Sequence, residues 1–309
     1  MINRRNIRIK VMQTLYSLGL SNNEIKNAQA ISILKKNFEQ TAQLLTYLIF
    51  FITETARYAE KDATQKAHKH LPTKGDLNIN IKIAGNELLW KILEDSSFKR
   101  SCTKYKISSL GDPQMVKKIY DALVVTPEYQ EYVSAPARDK RSEKRVLELI
   151  FSLMVTDEDF INHLEENFIH WDDDADMMVL LVNNFLQKPS GIDFGNLLSE
   201  EKWKFAKDLI ECVIDKKELC LEIIKPKLRN WDSERIAALD MILMQMGVCE
   251  LLFFETIPPK VTINEYIDLA KEYSTPQSGH FVNGILDNIH KELISQDKIH
   301  KKNFRNSTL

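Results

Sequence analysis

The sequence is poor in the residues that interrupt secondary structure. Glycine and proline each occur 9 times in 309 residues. Together they make up about 6% of the chain, whereas an average composition supplies about 12%. Long segments instead carry apolar residues three or four positions apart, the spacing that places them on one face of a helix. The sequence therefore predicts an all-α protein.

Long apolar runs are also missing. The longest, LLTYLIFFI at 44–52, contains a threonine and is far shorter than the roughly 20 residues of a membrane-spanning helix. The opening RRNIRIKVMQTLYSLG at 4–19 starts with basic residues, as a secretion signal does. However, Lys10, Gln13 and Thr14 interrupt its apolar stretch and no cleavage pattern follows. We expect a cytoplasmic protein without membrane contact.

The usual signatures of enzymes and metal sites are absent. There is no glycine-rich phosphate loop, no G-x-S-x-G, no H-E-x-x-H, and no C-x-x-C among 4 cysteines, which we interpret as reduced core residues. A calcium loop beginning at Asp172 would need glycine and glutamate where the chain has Met177 and Asn183. Asp172–Asp174 more simply place negative charge at a helix N-terminus. We expect no cofactor, no metal and no catalytic residue.

Positive charge is concentrated at the start of the chain, although the formal net charge is −2. The first 23 residues contain four basic side chains and no acidic one, namely Arg4, Arg5, Arg8 and Lys10. In a helix, one apolar stripe would consist of Ile7, Val11, Leu15 and Leu18. Arg5 and Tyr16 would project from the other side. Cations that bind phosphates beside a ring that stacks on a base suit single-stranded nucleic acid, but a solvated helix start would look the same.

Glu250 is the only charged residue between Asp240 and Glu255, in a very apolar helical segment. A carboxylate on such a face must be paired or lie at a functional surface, since burying it alone costs several kcal/mol. Two hypotheses therefore stay open for Glu250, an internal ion pair with an arginine and a contact with a binding partner.

Helix-capping and helix-breaking residues along the chain predict where its helices begin and end. One or two helices are expected between residues 23 and 60, and the alternation at 78–83 fits either a strand or the approach to the next helix. Residues 134–145, SAPARDKRSEKR, indicate a linker or an exposed helix start. Ser199 is a good N-cap, and Thr262 with Glu265 is typical of a capping box after IPPK.

The two ends of the sequence resemble a known family. Residues 230–289 read NWDSERIAALDMILMQMGVCELLFFETIPPKVTINEYIDLAKEYSTPQSGHFVNGILDNI. They resemble the antitermination factor NusB, in which tryptophan-aspartate precedes an apolar helix ending in E-L, then I-P-x-K-V-x-I-N-E, L-A-K and F-V-N-G-x-L-D. The opening RRNIRIKVMQTLYS similarly resembles the arginine-rich start and Q-x-L-Y of that family.

The resemblance implies an all-α, NusB-like helical bundle of two small helical subdomains. It also implies binding of boxA RNA together with NusE, a small-subunit ribosomal protein, in a complex that helps RNA polymerase to read through terminators, chiefly on ribosomal RNA operons. RNA polymerase would then be an indirect partner. Glu250 would bind a partner. The residues implied in RNA binding are Arg4, Arg5, Arg8, Gln13, Tyr16 and Phe281. Four phosphate-bound cations would give a salt slope of log affinity of about −3.

Residues 61–199 have no counterpart in short members of this family. We therefore predict family-like helices with the RNA-binding arm at 1–60, a mainly helical insertion at 61–199, a family-like subdomain at 200–295 and a basic flexible tail at 296–309. The role of the insertion is open.

Two other functions would fit a protein that contains this NusB-like helical module. One is a protein-interaction module whose insertion binds another partner. The other is an RNA-modifying enzyme, because the module also resembles the N-terminal domain of certain rRNA cytosine methyltransferases. That enzyme would need a Rossmann-like domain with glycine-rich turns, and none follows residue 295. We expect a scaffold that is not an enzyme.

Overall fold

The computed structural model describes residues 2–19, 26–71, 73, 79–189, 192–228 and 236–302. Over these ranges the chain forms 14 α-helices, short 3-10 turns and no β-strand, which confirms the all-α prediction. The helices are α1 Arg4–Gly19, α2 Asn27–Ala67, α3 Glu87–Glu94, α4 Ser96–Lys104, α5 Pro113–Val124, α6 Pro127–Ser134, α7 Lys140–Thr156, α8 Glu158–Asn167, α9 Trp171–Gln187, α10 Glu200–Asp215, α11 Lys217–Ile224, α12 Ala238–Phe253, α13 Pro259–Tyr273 and α14 Ser278–Ser295. Every helix in these ranges is too short or too polar to cross a bilayer.

The chain divides into two compact units. The central unit comprises Met1–Ile2 and Glu39–Leu197, and the terminal unit comprises Asn3–Phe38 and Leu198–Leu309. Helix α2 contributes its residues up to Phe38 to the terminal unit and the rest to the central unit. The chain passes from one unit to the other at 2/3, 38/39 and 197/198, whereas the domain boundaries predicted from the sequence lie after residues 60, 199 and 295. Those domain assignments stay a prediction.

Short polar side chains set many of the helix starts. The Asn86 side chain accepts hydrogen bonds from the backbone amides of Leu88 and Leu89 at 2.9 and 3.0 Å. The same arrangement begins α4, α5, α7 and α8, where the caps are Asp95, Asp112, Asp139 and Asp157. Ser199 caps α10, as predicted. Each cap satisfies amides that have no partner inside the helix.

Several predicted boundaries need correction or lie outside the described ranges. Residues 79–81 have no regular structure and Lys82–Gly85 form a 3-10 turn, so the described part of 78–83 is no strand. The capping box was wrong, because α13 begins at Pro259 and Thr262 lies inside the helix. Residues 134–145 include the start of α7 at Lys140. Residue 78, the tryptophan-aspartate pair at 231–232 and the tail from 303 lie outside the described residues.

Aromatic side chains build the core of the central unit around α2. The Tyr47 ring lies 6.1 Å from Phe51, 6.5 Å from Phe160 and 5.3 Å from Phe168 between ring centroids. The Phe51 and Phe160 rings meet edge to face at 4.6 Å. The Tyr47 hydroxyl is 2.7 Å from His163 Nε2, so the polar end of this buried ring has a partner.

Helix α12 forms the centre of the terminal unit. Every residue from Leu243 to Leu251 is buried, and α1, α10, α11, α13 and α14 all contact this helix. A Cβ at Gly247 would lie 3.0 Å from both Cδ atoms of Leu286. Glycine at this position therefore lets α14 approach closely.

We predict that Phe160→Ala destabilises the central unit by about 3–5 kcal/mol, because it removes a buried ring and leaves a cavity. Leu180→Ala in α9 is the matched control, since Leu180 is 61% exposed and should change stability by less than about 0.5 kcal/mol. Urea unfolding measures the free energy of unfolding of both variants, and hydrogen exchange of residues 39–67 measures the protection of the central unit. Equal protection in the two variants would contradict the prediction.

Candidate nucleic-acid interface

Helix α1 seats its apolar stripe as predicted, but it divides its basic residues into two classes. The stripe residues are buried, namely Ile7, Val11, Leu15 and Leu18. Arg8 and Lys10 are also buried, at 2% and 1% exposure. The side chains of Arg4 and Arg5 are 44% and 32% exposed. Two of the four basic side chains of α1 are therefore not available at its surface, fewer than the sequence indicated.

Arg8 forms a buried, two-point ion pair with Glu250. Arg8 Nε donates to Glu250 Oε2 at 2.9 Å and Nη2 donates to Oε1 at 2.7 Å. Arg8 Nη1 donates to Glu265 Oε2 at 3.2 Å. The Glu250 side chain is 0% exposed. Of the two hypotheses for Glu250, the structure shows the internal ion pair with an arginine.

Neighbouring side chains complete the shell of Glu250. Thr262 Oγ1 donates to Oε1 at 2.8 Å and the Tyr266 hydroxyl donates to Oε2 at 3.0 Å. Lys301 Nζ donates to the carbonyl oxygens of Glu250 and Phe254 at 2.9 and 2.8 Å. The carboxylate thus accepts four hydrogen bonds in the described structure, which offset the loss of water around it.

The electrostatics of this cluster keep Arg8 charged. Burial alone lowers the pKa of the guanidinium, but the hydrogen bonds to Glu250 and the nearby charges raise it above its usual value. Burial and the Glu250 charge raise the pKa of Tyr266, so this hydroxyl stays a donor. Burial lowers the pKa of Lys301 to about 8, although the Glu250 and Glu255 carboxylates raise it in part. The cluster therefore joins α1, α12 and α13 through charged hydrogen bonds.

The exposed side of α1 carries Arg4, Arg5 and Tyr16. Arg4 Nη2 lies 3.3 Å from Glu201 Oε1, and Arg5 Nη2 lies 2.6 Å from Glu272 Oε2. Tyr16 is 42% exposed. Because exposed ion pairs contribute only about 0–1 kcal/mol, both guanidinium groups can exchange a carboxylate for another anion.

The two remaining predicted residues are less accessible. Gln13 is half-buried in α1, and the Phe281 ring on α14 is 8% exposed. RNA contacts by these residues and by Arg8 stay predictions. All of the predicted residues belong to the terminal unit, and direct contact is seen between Arg8 and Glu250.

Sequence reasoning missed the side chains that hold this pair. Thr262, Glu265 and Tyr266 were available at spacings of three and four, which place them on one side of α13, yet Thr262 and Glu265 were assigned to a cap. The burial of Arg8 also had a signal, since it stands seven residues from Leu15 and hence on the same side of the helix. No local pattern indicates Lys301.

Comparison with known proteins assigns the family. The NusB family model matches residues 138–291. A protein of Methylacidiphilum infernorum (isolate V4), named transcription antitermination protein NusB, is 40% identical over 100 residues, which are 32% of this chain and 69% of that protein. The chain belongs to the NusB family. The family match begins two residues before α7, within the segment 61–199, and ends in α14.

Other NusB relatives match over shorter parts of their length. The protein of the same name from Salinibacter ruber (strain DSM 13855 / M31) is 45% identical over 97 residues, 31% of this chain and 61% of the relative. That from Chloroherpeton thalassium (strain ATCC 35110 / GB-78) is 47% identical over 72 residues, 23% of this chain and 34% of the relative. This NusB-family chain thus spans about three fifths of the Salinibacter protein. No solved structure matches it.

We predict that Arg8→Ala destabilises the terminal unit by about 3–5 kcal/mol, because it leaves Glu250 buried without its countercharge. Arg4→Ala, which removes an exposed partner, should cost at most about 1 kcal/mol. Urea unfolding measures both variants. A double variant, Arg8→Met with Glu250→Met, should recover most of the loss. If the double variant instead loses as much stability as the Arg8→Met and Glu250→Met single variants added together, the pairing is contradicted.

Proposed function

We propose that this NusB-family protein is a transcription antitermination factor that binds single-stranded boxA-type RNA together with NusE. In this role it promotes processive transcription of ribosomal RNA operons, with the RNA polymerase elongation complex as an indirect partner. It acts as a cytoplasmic scaffold and catalyses no reaction. The observation that carries the proposal is the partly exposed Arg5 and the exposed Tyr16 on one side of a helix anchored by Arg8.

The exposed face of α1 supplies two kinds of contact to a single strand. Arg4 and Arg5 bind phosphates, and the Tyr16 ring stacks on a base. Arg5 and Tyr16 are eleven residues apart, which places them within about 20° on the helix and about 16 Å apart along its axis. That spacing suits a strand better than a single nucleotide.

Arg8 has a positioning role in this mechanism. Its guanidinium already donates to two carboxylates, so its charge holds α1 in place while Arg4 and Arg5 meet the phosphates. With two cations on single-stranded phosphates, the salt slope of log affinity should be about −1.4 instead of about −3. Glu250 then acts on NusE indirectly, through the positions of α1, α12 and α13.

We predict that Arg5→Ala with Tyr16→Ala weakens binding of boxA-type RNA by about tenfold or more, because stacking alone contributes about 1–3 kcal/mol per base. Fluorescence anisotropy with labelled RNA, across a salt series and with or without NusE, measures the loss. The matched control is Lys291→Ala with Phe253→Ala, which removes an exposed cation and an exposed ring elsewhere in the terminal unit.

The control should bind RNA as the unsubstituted protein does. If the test variant binds RNA normally while remaining folded, the α1 face is not the RNA site. If the unsubstituted protein binds no RNA with NusE present, the RNA function fails and the protein-interaction module becomes the better hypothesis.

We further predict that Glu272→Gln tightens RNA binding by about 1.5- to 5-fold. It removes the nearer of the two carboxylates that pair with Arg5, Glu272 at 2.6 Å and Glu265 at 3.9 Å, and an exposed pair is worth about 0.2–1 kcal/mol. Glu222→Gln removes the same charge from an exposed position on α11. An equal gain in RNA affinity in both variants would show a general charge effect and contradict competition between Glu272 and RNA for Arg5. The same anisotropy titration distinguishes the two.

A further inference from the structure

Three of the four cysteines meet inside the terminal unit. Cys212 lies in α10, Cys220 in α11 and Cys249 in α12, and these three helices contact one another. They are 8 and 29 residues apart along the chain, so no C-x-x-C spacing brings them together. The fourth cysteine, Cys102, belongs to the central unit. Folding thus assembles a cluster of thiols that the sequence pattern does not show.

The two buried thiols of the cluster are in direct contact. The Sγ atoms of Cys220 and Cys249 lie 3.5 Å apart, and both side chains are fully buried. A disulfide bond is about 2.05 Å long, so each sulfur would need to move by only about 0.7 Å to form one. Removal of two hydrogen atoms can therefore join α11 to α12 with little movement of either helix.

Cys212 connects this buried pair to solvent. Its side chain is half-buried, and it shares a hydrogen bond with the Cys249 thiol. Cys249 therefore contacts both a buried thiol and a partly exposed one. Because the oxidation of a cysteine depends on its exposure, a dissolved oxidant reaches Cys212 first.

The hydrogen bonds within the cluster give its buried thiols different reactivity. Those to Cys212 and Cys220, together with burial, raise the pKa of Cys249. This thiol therefore stays protonated until an electrophilic sulfur lies beside it. The hydrogen bond with Cys249 lowers the pKa of Cys220, although burial acts in the opposite direction. Cys220 is thus the better nucleophile of the two.

A metal site is the other use to which clustered thiols can be put. In the part of the chain that the structure describes, no group of three histidine, cysteine, aspartate or glutamate side chains is arranged to hold a metal ion. The arrangement therefore favours thiol oxidation over metal binding.

The geometry points to an oxidation site in the terminal unit, where Cys212 reacts with a peroxide and passes the oxidation inward to a disulfide between Cys220 and Cys249. The Cys212 thiolate first takes an oxygen atom and a proton from hydrogen peroxide and water, giving a sulfenic acid and hydroxide. Cys249 then attacks the Cys212 sulfur, and the sulfenic hydroxyl leaves as water with the Cys249 proton. Finally the Cys220 thiolate attacks Cys249 Sγ and displaces Cys212 as a thiolate.

The three steps convert two thiols and one peroxide into one disulfide and two waters, and they leave Cys212 as it began. The product joins α11 to the helix that carries Glu250, the residue that follows Cys249. Disulfides of cytosolic proteins are usually transient and sense the redox state. This site is independent of the proposed RNA binding, and its test uses no RNA.

The test treats the folded full chain with hydrogen peroxide, stops the reaction with acid and alkylates the remaining thiols under denaturing conditions. The intact mass before alkylation should fall by about 2 Da, with Cys102 and Cys212 left as the free thiols. Trypsin places the three clustered cysteines on separate peptides, since a lysine or an arginine lies between each of them. The cross-linked peptides therefore identify the pair without any substitution.

Substitutions separate the roles of the cysteines. Cys212→Ser should slow formation of the Cys220–Cys249 disulfide by about tenfold or more, because only buried thiols then remain in the cluster. Cys220→Ala should stop the reaction at a disulfide between Cys212 and Cys249. Cys102→Ser, the matched control outside the cluster, should leave the reaction unchanged. Circular dichroism confirms that each variant is folded.

Two kinds of result would overturn the proposal. If the Cys220–Cys249 disulfide forms as fast in Cys212→Ser as in the unsubstituted chain, the inward transfer is wrong. A disulfide through Cys102, a sulfinic acid at Cys212 with both buried thiols still free, or no reaction with peroxide would overturn the site as a whole. Peptide mapping of the unsubstituted chain decides these last outcomes even where a variant fails to fold.

Discussion

The ion pair between Arg8 and Glu250 is the constraint on which the terminal unit depends. It connects residues 242 positions apart in the sequence and joins the opening helix to the apolar centre of the unit. Two buried charges cost several kcal/mol to desolvate, and good geometry with added hydrogen bonds offsets that cost. The added hydrogen bonds come from the Thr262 and Tyr266 hydroxyls, which donate to Glu250, and from the carboxylate of Glu265, which accepts from Arg8. A helix tied in this way can present other cations at fixed positions.

The same constraint explains why the cations of α1 have different roles. A guanidinium held by the buried carboxylate of Glu250 and the partly exposed one of Glu265 cannot exchange them cheaply, so Arg8 determines where the helix lies. Arg4 and Arg5 face exposed carboxylates, which solvent and salt weaken. Arg4 and Arg8 both lie over the Phe205 ring, at 5.6 and 5.7 Å from its centroid. One aromatic side chain thus makes cation–π contacts with both the exposed guanidinium of Arg4 and the buried one of Arg8.

Periodicity and caps made most of the fold predictable, because they depend on neighbours in sequence. The apolar stripe of α1, the cap at Ser199 and the two alternatives for Glu250 follow from such local patterns. The choice between those alternatives required knowing which arginine meets Glu250, and that depends on packing between distant helices. The capping box failed for a related reason, since Pro259 can occupy the first turn of a helix and Thr262 then becomes free to bind Glu250.

In the proposed function, the charge balance of α1 limits how much free energy a phosphate gains by binding there. On α1 each exposed guanidinium already has a carboxylate partner, so a phosphate must displace it and the gain from charge alone is small. Specific stacking and a partner protein then matter more.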